Sequence, residues 1–457
     1  MKERSTCHAK PGESPREEGD QMRKKSLFFA VLLALSMALS VLGEEAMGAG
    51  QVTISYSDWQ LAQDIWGRSL REAIAEFERL NPGIKVQDEP VALGQRDTKF
   101  TTAIRGGKGP DVFALDANPV KQYIKNGWAK ELTPFIEKEG GKQWLADFYP
   151  VTLMPVTEND KVYGVPKNVV AMVLVYNSEL FQKAGIGRPP RTWDEFRETC
   201  KKLTLATKPG GPIDQWGATL VLAKACFDLR FSVVLRGFGG DFLTPDWKHS
   251  ALNTPEAKEA FHFVVNSILE DKVMPPGVTQ VDCNAARRLL AHKKVAMIFG
   301  TMWTITEVSG MNPDLHGWKV LEMAPVPQKE GVASKIRSTL YQKSLFMNPN
   351  TKHPEAAWKL LNFLTQKKQM EKWFVDNNML SCRRSINENF GPILQSKYAA
   401  IVTEEIDKHA AFLPLMPKWP ECLEAFRQNL QAAVAKTKTP DKALADAHNQ
   451  IESILGR

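Results

Sequence analysis

The strongest constraint on the fold of this chain is a repeated alternation of strand and helix patterns. Val52 to Tyr56 alternates apolar and polar side chains as a strand does, and apolar residues at helical spacing then continue to Phe77. Asn81-Pro82-Gly83 ends that helix before a second strand at 84–87, and the same order recurs up to a strand at 111–115. Strands that alternate with helices predict parallel sheets covered on both faces, so the fold class is α/β.

The rest of the chain continues this pattern without an internal repeat or a low-complexity linker. Further strands are predicted at 171–176, 295–299 and 341–347, and helices at 255–269, 284–292, 354–364, 420–435 and 440–455. A chain of 457 residues is too long for one hydrophobic core, which predicts two domains. Because no linker separates them, we expect the two domains to be interwoven.

The first 48 residues are predicted to be an N-terminal extension and a signal peptide. Arg23-Lys24-Lys25 precedes an uncharged apolar run at 27–42, and small residues follow at 46–49. That run is shorter than the roughly 20 residues of a membrane-spanning helix. We therefore expect cleavage near Gly48 to Gly50, export to the periplasm and, since no cysteine lies near the cleavage site, no lipid anchor.

Charge and cysteine usage exclude several classes of protein. The net charge is +7, but the basic residues are scattered and form no stripe, so no nucleic-acid partner is expected. The five cysteines that follow residue 48 include no CxxC pair, so neither a metal nor another cofactor is expected. Buried thiols are the favoured interpretation, and a disulfide framework is the alternative.

Six segments of the mature chain carry a resemblance to a known family. They are 77–86 (FERLNPGIKV), 109–112 (GPDV), 163–166 (YGVP), 175–181 (VYNSELF), 190–196 (PRTWDEF) and 295–300 (VAMIFG). In this order the segments resemble the carbohydrate-type extracellular solute-binding proteins of ABC importers, the group that contains maltose- and glycerol-3-phosphate-binding proteins.

The resemblance implies a two-lobed periplasmic-binding-protein fold that closes by hinge bending around a ligand in the cleft. Hinge crossings are expected near 166–171, 300–305 and 344–348. The N-terminal lobe would then contain 51–165 plus 304–343, and the C-terminal lobe 166–303 plus 344–457. The implied function is capture of a sugar or sugar-like solute by a monomer that delivers it to the membrane permease subunits.

Open α/β sheets bind ligands beyond the carboxyl ends of their strands, and this rule selects the first candidate site residues. Trp59 and Gln60 follow the first strand, Asp116 follows the strand at 111–115, and Trp303 follows the strand at 295–299. A sugar needs an aromatic face and polar groups for its hydroxyls, which these residues and Asn168 supply. The alternatives are core packing for the two tryptophans and local turn hydrogen bonds for Asp116 and Asn168.

The resemblance adds three further ligand-binding candidates. Tyr341 and the adjacent Gln342 occupy a position where relatives usually carry a glycine pair, so Tyr341 is expected to reshape the pocket. Trp419 matches a region that often contributes an aromatic ring, with packing against the following helix as the alternative. Arg383 matches an arginine of the family, with a structural salt bridge as the alternative.

Two other functions stay open from the residues alone. The chain lacks GxSxG, HExxH and GxxxxGK[ST], so no enzyme activity is expected, although Asp58 and Asp116 would be the carboxylates of a glycoside hydrolase. A phosphorylated polyol is the alternative ligand, with Arg337, Lys343 or Arg383 as its partners.

Overall fold

The computed structural model describes residues 51–224, 226–315 and 320–456. The predicted extension and signal peptide lie outside the described residues. None of the helices in the described ranges has the length and apolar character needed to span a membrane.

The strands and helices alternate along much of the chain, as the sequence predicts, although four consecutive strands lie within 157–177. The strands are β1 Val52–Asp58, β2 Ile84–Pro90, β3 Val112–Asp116, β4 Thr157–Glu158, β5 Lys161–Val162, β6 Gly164–Ala171, β7 Val173–Asn177, β8 Trp216–Thr219, β9 Val295–Gly300, β10 Leu321–Ala324, β11 Ser338–Met347, β12 Leu380–Ser381 and β13 Ala410–Ala411. The helices are α1 Asp64–Leu80, α2 Arg96–Arg105, α3 Ala117–Lys125, α4 Thr133–Lys138, α5 Lys142–Ala146, α6 Pro150–Leu153, α7 Ser178–Lys183, α8 Trp193–Leu203, α9 Phe227–Gly237, α10 Pro255–Leu269, α11 Cys283–Ala291, α12 Trp303–Met311, α13 Pro354–Phe363, α14 Lys367–Asn377, α15 Arg384–Asn389, α16 Gly391–Leu394, α17 Lys397–Glu404, α18 Trp419–Val434 and α19 Pro440–Leu455.

The larger of the two main sheets forms the centre of what we call the first lobe. Its strands follow the order β12-β6-β11-β3-β1-β2, and β13 pairs with β11. β1 runs parallel to β2 and β3, whereas β11 runs antiparallel to β3 and β6. The sheet is therefore mixed, and the prediction of purely parallel sheets is wrong for it. The reason is that β11 enters this sheet from the other lobe, without a crossover helix.

The smaller sheet forms the centre of the second lobe, with strand order β10-β7-β9-β8. It is also mixed, since β8 is parallel to β9 while β7 is antiparallel to both β9 and β10. A separate hydrophobic core packs around it, which includes Trp193, Phe231, Phe299 and Phe426. The two-lobed α/β fold that the sequence predicts is confirmed.

The chain changes sheet at three places in the described residues. Met172 alone separates β6 of the larger sheet from β7 of the smaller one, the second change falls between Ala324 and Ser338, and the third follows Ala411. The sequence instead predicts crossings at 300–305 and 344–348 and groups 304–343 with the first strands, whereas β11 lies in the larger sheet up to Met347. In the structure β10 pairs with β7 in the smaller sheet. The sequence interpretation assigned no strand to 321–324, so this return to the smaller sheet was missed.

Candidate functional site

A cavity of about 330 Å³ lies where the two lobes meet. The first lobe supplies its walls from the end of β3, the start of α3 and the loop after β1, and the second lobe supplies the starts of α9 and α11. Helix α12 and residues 340–342 of β11 complete the lining. This volume is at the lower end of the range of about 300–1,000 Å³ that is typical of small-molecule sites.

Four aromatic side chains lie edge to face along the cavity. The Trp59 and Trp66 ring centroids are 5.1 Å apart, those of Trp66 and Trp303 6.1 Å, and those of Trp303 and Tyr341 5.1 Å. All four line the cavity. Such a wall offers apolar faces of the kind that pack against the C–H face of a sugar ring.

Asp116 ends β3 and holds two other lining residues in place. Arg96 donates from Nη1 to Asp116 Oδ2 at 2.6 Å, and the Tyr341 hydroxyl donates to Asp116 Oδ1 at 2.6 Å. Burial alone would raise the pKa of Asp116, but the positive charges of Arg96 and Lys343 outweigh it and lower that pKa. Asp116 is thus an ionised hydrogen-bond acceptor at neutral pH.

A buried ion pair lies directly behind Trp59. Lys343 Nζ is 2.5 Å from Asp58 Oδ1, both side chains are fully buried, and the same ammonium lies 4.3 Å from the centroid of the Trp59 ring. Asp58 Oδ1 also accepts a hydrogen bond from the backbone N–H of Gln60 at 2.9 Å, which caps the short 3₁₀ helix Trp59–Ala62. The register of β11 against β3 brings Lys343 opposite Asp116 and so fixes this arrangement.

The second lobe brings charged groups and thiols to the cavity. Asn118 of the first lobe donates from Nδ2 to Asp228 Oδ2 at 3.1 Å, and this hydrogen bond joins the two lobes. Arg287 forms an ion pair with Glu307, in which Nε lies 2.5 Å from Oε2. Burial raises the pKa values of both Asp228 and Glu307.

Cys226 and Cys283 lie beside each other at the starts of α9 and α11. The neighbouring Cys226 thiol lowers the pKa of Cys283, and the charges of Arg230 and Arg287 contribute to the same effect. All five cysteines of the described ranges have free thiols. Those ranges contain no group of three or more His, Cys, Asp or Glu side chains placed to hold a metal ion.

The structure brings together four of the eight residues that the sequence selected as ligand contacts. Trp59, Asp116, Trp303 and Tyr341 line the cavity. The other four, Gln60, Asn168, Arg383 and Trp419, are buried and do not line it.

Arg383 and Trp419 lie in the environments named as their alternatives. Arg383 donates to Asp147 at 3.2 Å and lies over the rings of Trp144 and Phe148, at 4.5 and 4.4 Å from their centroids. Trp419 is the first residue of α18 and packs edge-on against Phe242 at 5.2 Å, in the core of the second lobe. Neither side chain has a surface toward the cavity, because each is enclosed by its own lobe.

Gln60 and Asn168 lie in the interior of the first lobe. Asn168 is fully buried in β6, and neither its Oδ1 nor its Nδ2 has a hydrogen-bond partner among the described residues. Gln60 is also fully buried, and its Nε2 lies 4.0 Å from the sulfur of Met379.

Sequence reasoning missed several lining residues, above all Arg96, Cys226, Arg230, Cys283 and Glu307. Arg96, Arg230 and Glu307 occur within helical patterns, where a charged residue is typical of a solvated face. The rule that selects residues at strand ends does not select residues at helix starts such as Cys283. A rule that also considers helix N-termini facing a sheet edge would have selected such residues.

Comparisons with known proteins agree with this architecture. A Brucella abortus protein, named as a binding protein, is 26% identical over 423 residues that cover 92% of this chain and 97% of the relative. The galactooligosaccharide-binding protein of Bacillus subtilis is 22% identical over 93% of this chain and 96% of its own length. Among solved structures, an ABC transporter solute-binding protein of Thermotoga lettingae bound with α-D-tagatose is similar with a TM-score of 0.78 and 25% identity, covering 89% of this chain and 100% of that one.

The family assignment rests on the match to a family model over more than half of the chain. The sequence model of the bacterial extracellular solute-binding proteins matches residues 63–371, which include most strands of both sheets and most of the cavity lining. With its fold, its interlobe cavity and this match in agreement, the chain belongs to the bacterial extracellular solute-binding protein family.

Proposed function

We propose that this protein captures a sugar in the cavity between its lobes and delivers it to the membrane permease of an ABC importer. It acts as an exported, periplasmic monomer, without a catalytic step and without a nucleic-acid partner. Trp59, Asp116, Trp303 and Tyr341 are its proposed ligand contacts.

The observation that carries this proposal is the combination of aromatic rings and polar groups around one interlobe cavity. Trp59, Trp66 and Trp303 present apolar ring surfaces, while Asp116 and Asn118 present polar atoms. A sugar matches both kinds of surface, because its C–H groups pack on aromatic rings and its hydroxyls donate to carboxylates. The relatives named for a galactooligosaccharide and bound with tagatose support the same class of ligand.

The phosphorylated-polyol alternative has little support from the residues first considered for it. Arg337 is paired with Glu405 at 2.5 Å, Lys343 with Asp58 at 2.5 Å and Arg383 with Asp147 at 3.2 Å. None of these three cations lines the cavity.

The two carboxylates considered for a glycoside hydrolase, Asp58 and Asp116, do not fit that role. Such an enzyme needs a carboxylic acid that stays protonated until it donates, whereas the positive charges around Asp116 lower its pKa despite burial. Asp58 is fully buried, is paired with Lys343 and does not line the cavity.

A thermal-shift screen followed by titration calorimetry tests the proposal. Sugars of several classes, amino acids, polyamines and simple peptides are added to the purified protein, and we expect at least one sugar to raise the melting temperature. Shifts with amino acids, polyamines or peptides alone would contradict the proposal, as would hydrolysis of a tested glycoside.

A pair of tryptophan substitutions tests whether the sugar binds in this cavity. Trp59→Ala is expected to weaken sugar binding at least about tenfold, because it removes an apolar ring surface of the cavity wall. Trp128→Ala is the matched control, since Trp128 is also half-buried in the first lobe but lies outside the cavity lining. Equal affinity losses in the two variants would place the sugar site elsewhere.

A further inference from the structure

Arg230 differs from the other arginines that line the cavity. Its side chain belongs to α9, lines the cavity and is only 5% exposed. Arg96 is paired with Asp97 and Asp116, and Arg287 with Glu307. No hydrogen bond or ion pair joins Arg230 to any residue in the described part of the chain.

The carboxyl groups nearest to Arg230 are engaged elsewhere. Asp228 accepts a hydrogen bond from Asn118, and Glu307 is held by Arg287. Burial raises the pKa values of both carboxyl groups, and the charge of Arg230 opposes that rise. The positive charge of Arg230 therefore faces the cavity without an ion pair to a carboxylate. The Cys283 thiol, whose pKa this charge helps to lower, is the acidic group that shares the cavity wall with it.

Most of the Arg230 side chain is buried, but its N–H donors, which have no protein acceptor among the described residues, are open to the cavity. An oxyacid group matches such a guanidinium, since its two oxygens accept a forked pair of hydrogen bonds and its charge neutralises the cation. A neutral sugar hydroxyl supplies a single acceptor and no charge. The unpaired guanidinium therefore selects an acidic ligand over a neutral one.

We propose that the ligand is an acidic sugar whose oxyacid group binds Arg230 while its ring packs against the aromatic wall of the cavity. This inference rests on the proposed function, because it specifies which sugars the same cavity accepts. A uronate carboxylate and a sugar phosphate share the required chemistry, and the experiment separates them.

Calorimetric titration of the purified protein with five compounds tests the inference. Glucuronate and galacturonate supply a carboxylate, glucose 6-phosphate supplies a phosphate, and glucose and galactose are the neutral counterparts. We expect at least one acidic sugar to bind about 30-fold or more tightly than its neutral counterpart. Binding of uronates but not of the phosphate would identify a carboxylate ligand, and the reverse result a phosphate ligand.

Variants of Arg230 assign the effect to this side chain. Arg230→Gln is expected to remove the preference for the acidic sugar while leaving the ligand-free melting temperature unchanged or higher, because no native partner is lost. Arg230→Lys is expected to restore part of the preference, since it keeps the charge but not the fork. Arg188→Gln is the control for loss of one positive charge, because Arg188 forms an exposed ion pair with Glu195 outside the cavity.

The outcomes separate this inference from the function on which it rests. Neutral sugars that bind as tightly as acidic ones would overturn the inference and leave the proposed function in place. Binding of no sugar of either kind would overturn both. A clear fall in the ligand-free melting temperature of Arg230→Gln, together with an unchanged preference, would identify Arg230 as a structural residue.

Discussion

Lys167 is a buried cation of the first lobe that has no counter-ion within bonding distance. Its Nζ has no hydrogen-bond partner in the described ranges and lies 3.7 Å from the centroid of the Trp373 ring. Burial lowers its pKa to about 7, and the positive charge of Lys343 adds to this effect while Asp58 opposes it. The folded protein therefore holds this proton much less tightly than the unfolded chain does.

The sign of the resulting pH dependence follows from linkage. Between pH 7 and the ordinary lysine pKa of about 10.4, the unfolded chain binds the Lys167 proton and the folded protein does not, so stability rises with pH. From pH 7 to 9, the free energy of unfolding of the wild type is expected to rise by about 2 kcal/mol relative to Lys167→Met. Urea unfolding of both proteins at each pH measures this difference, and parallel pH profiles would contradict the prediction.

At the scale of elements, two helices of the second lobe begin at the cavity with a cysteine beside each start. Cys226 precedes α9 and has a positive φ of 64°, and Cys283 is the first residue of α11. The interaction between these neighbouring thiols raises the pKa of Cys226 and lowers that of Cys283. Cys200 and Cys382 are fully buried, and burial raises their pKa values.

The thiol at the start of α11 is therefore expected to be the first to react. Iodoacetamide at pH 7 should modify Cys283 before Cys226, and should leave Cys200 and Cys382 intact, because the thiolate is the reactive form. Peptide mass mapping over time measures the order. Cys226→Ser is expected to alter the rate at Cys283, whereas Cys422→Ser, in the core of the second lobe, is the control. Modification of Cys226 before Cys283 would contradict this order.

At the scale of the whole molecule, one hydrogen bond joins the lobes directly across the cavity. Asn118 belongs to α3 of the first lobe and Asp228 to α9 of the second, and their side chains lie 3.1 Å apart. This contact links the two walls of the cavity in the structure. A contact made only in the closed state adds to ligand affinity through the closing equilibrium.

Removal of that contact should weaken binding without removing the site. Asn118→Ala is expected to lower sugar affinity about 2- to 10-fold, in line with the loss of one hydrogen bond of about 0.5–1.5 kcal/mol. Small-angle scattering should show a larger open fraction at subsaturating sugar. Asn126→Ala is the control, because exposed Asn126 lies just beyond the same helix and bonds only within it. Equal affinities for Asn118→Ala and the wild type would show that this bond does not contribute to closure.

The sequence was most informative where local patterns decide the structure. β1, α10 and α19 follow from period-two and helical patterns. The observed bounds of the two helices agree with the predictions, and β1 continues two residues beyond its predicted end at Tyr56. The direction of β11 and the strand at 321–324 depend on which lobe the chain enters next, which no local pattern encodes. Within the candidate site, strand-end residues such as Asp116 and Trp303 were predictable. Arg230 was not, because its unpaired state depends on the partners of Asp228 and Glu307.

The three sheet changes also restrict how segments of such a protein can be exchanged between relatives by recombination. Since the chain leaves and re-enters each lobe, neither lobe corresponds to one uninterrupted stretch of the gene. A chimera that exchanges one lobe between two relatives therefore needs junctions at Met172, within 325–337 and after Ala411, and a single-junction recombinant divides both cores. Specificity in this architecture is expected to diverge by substitutions around the cavity, such as those at 340–342, and not by the exchange of a binding module.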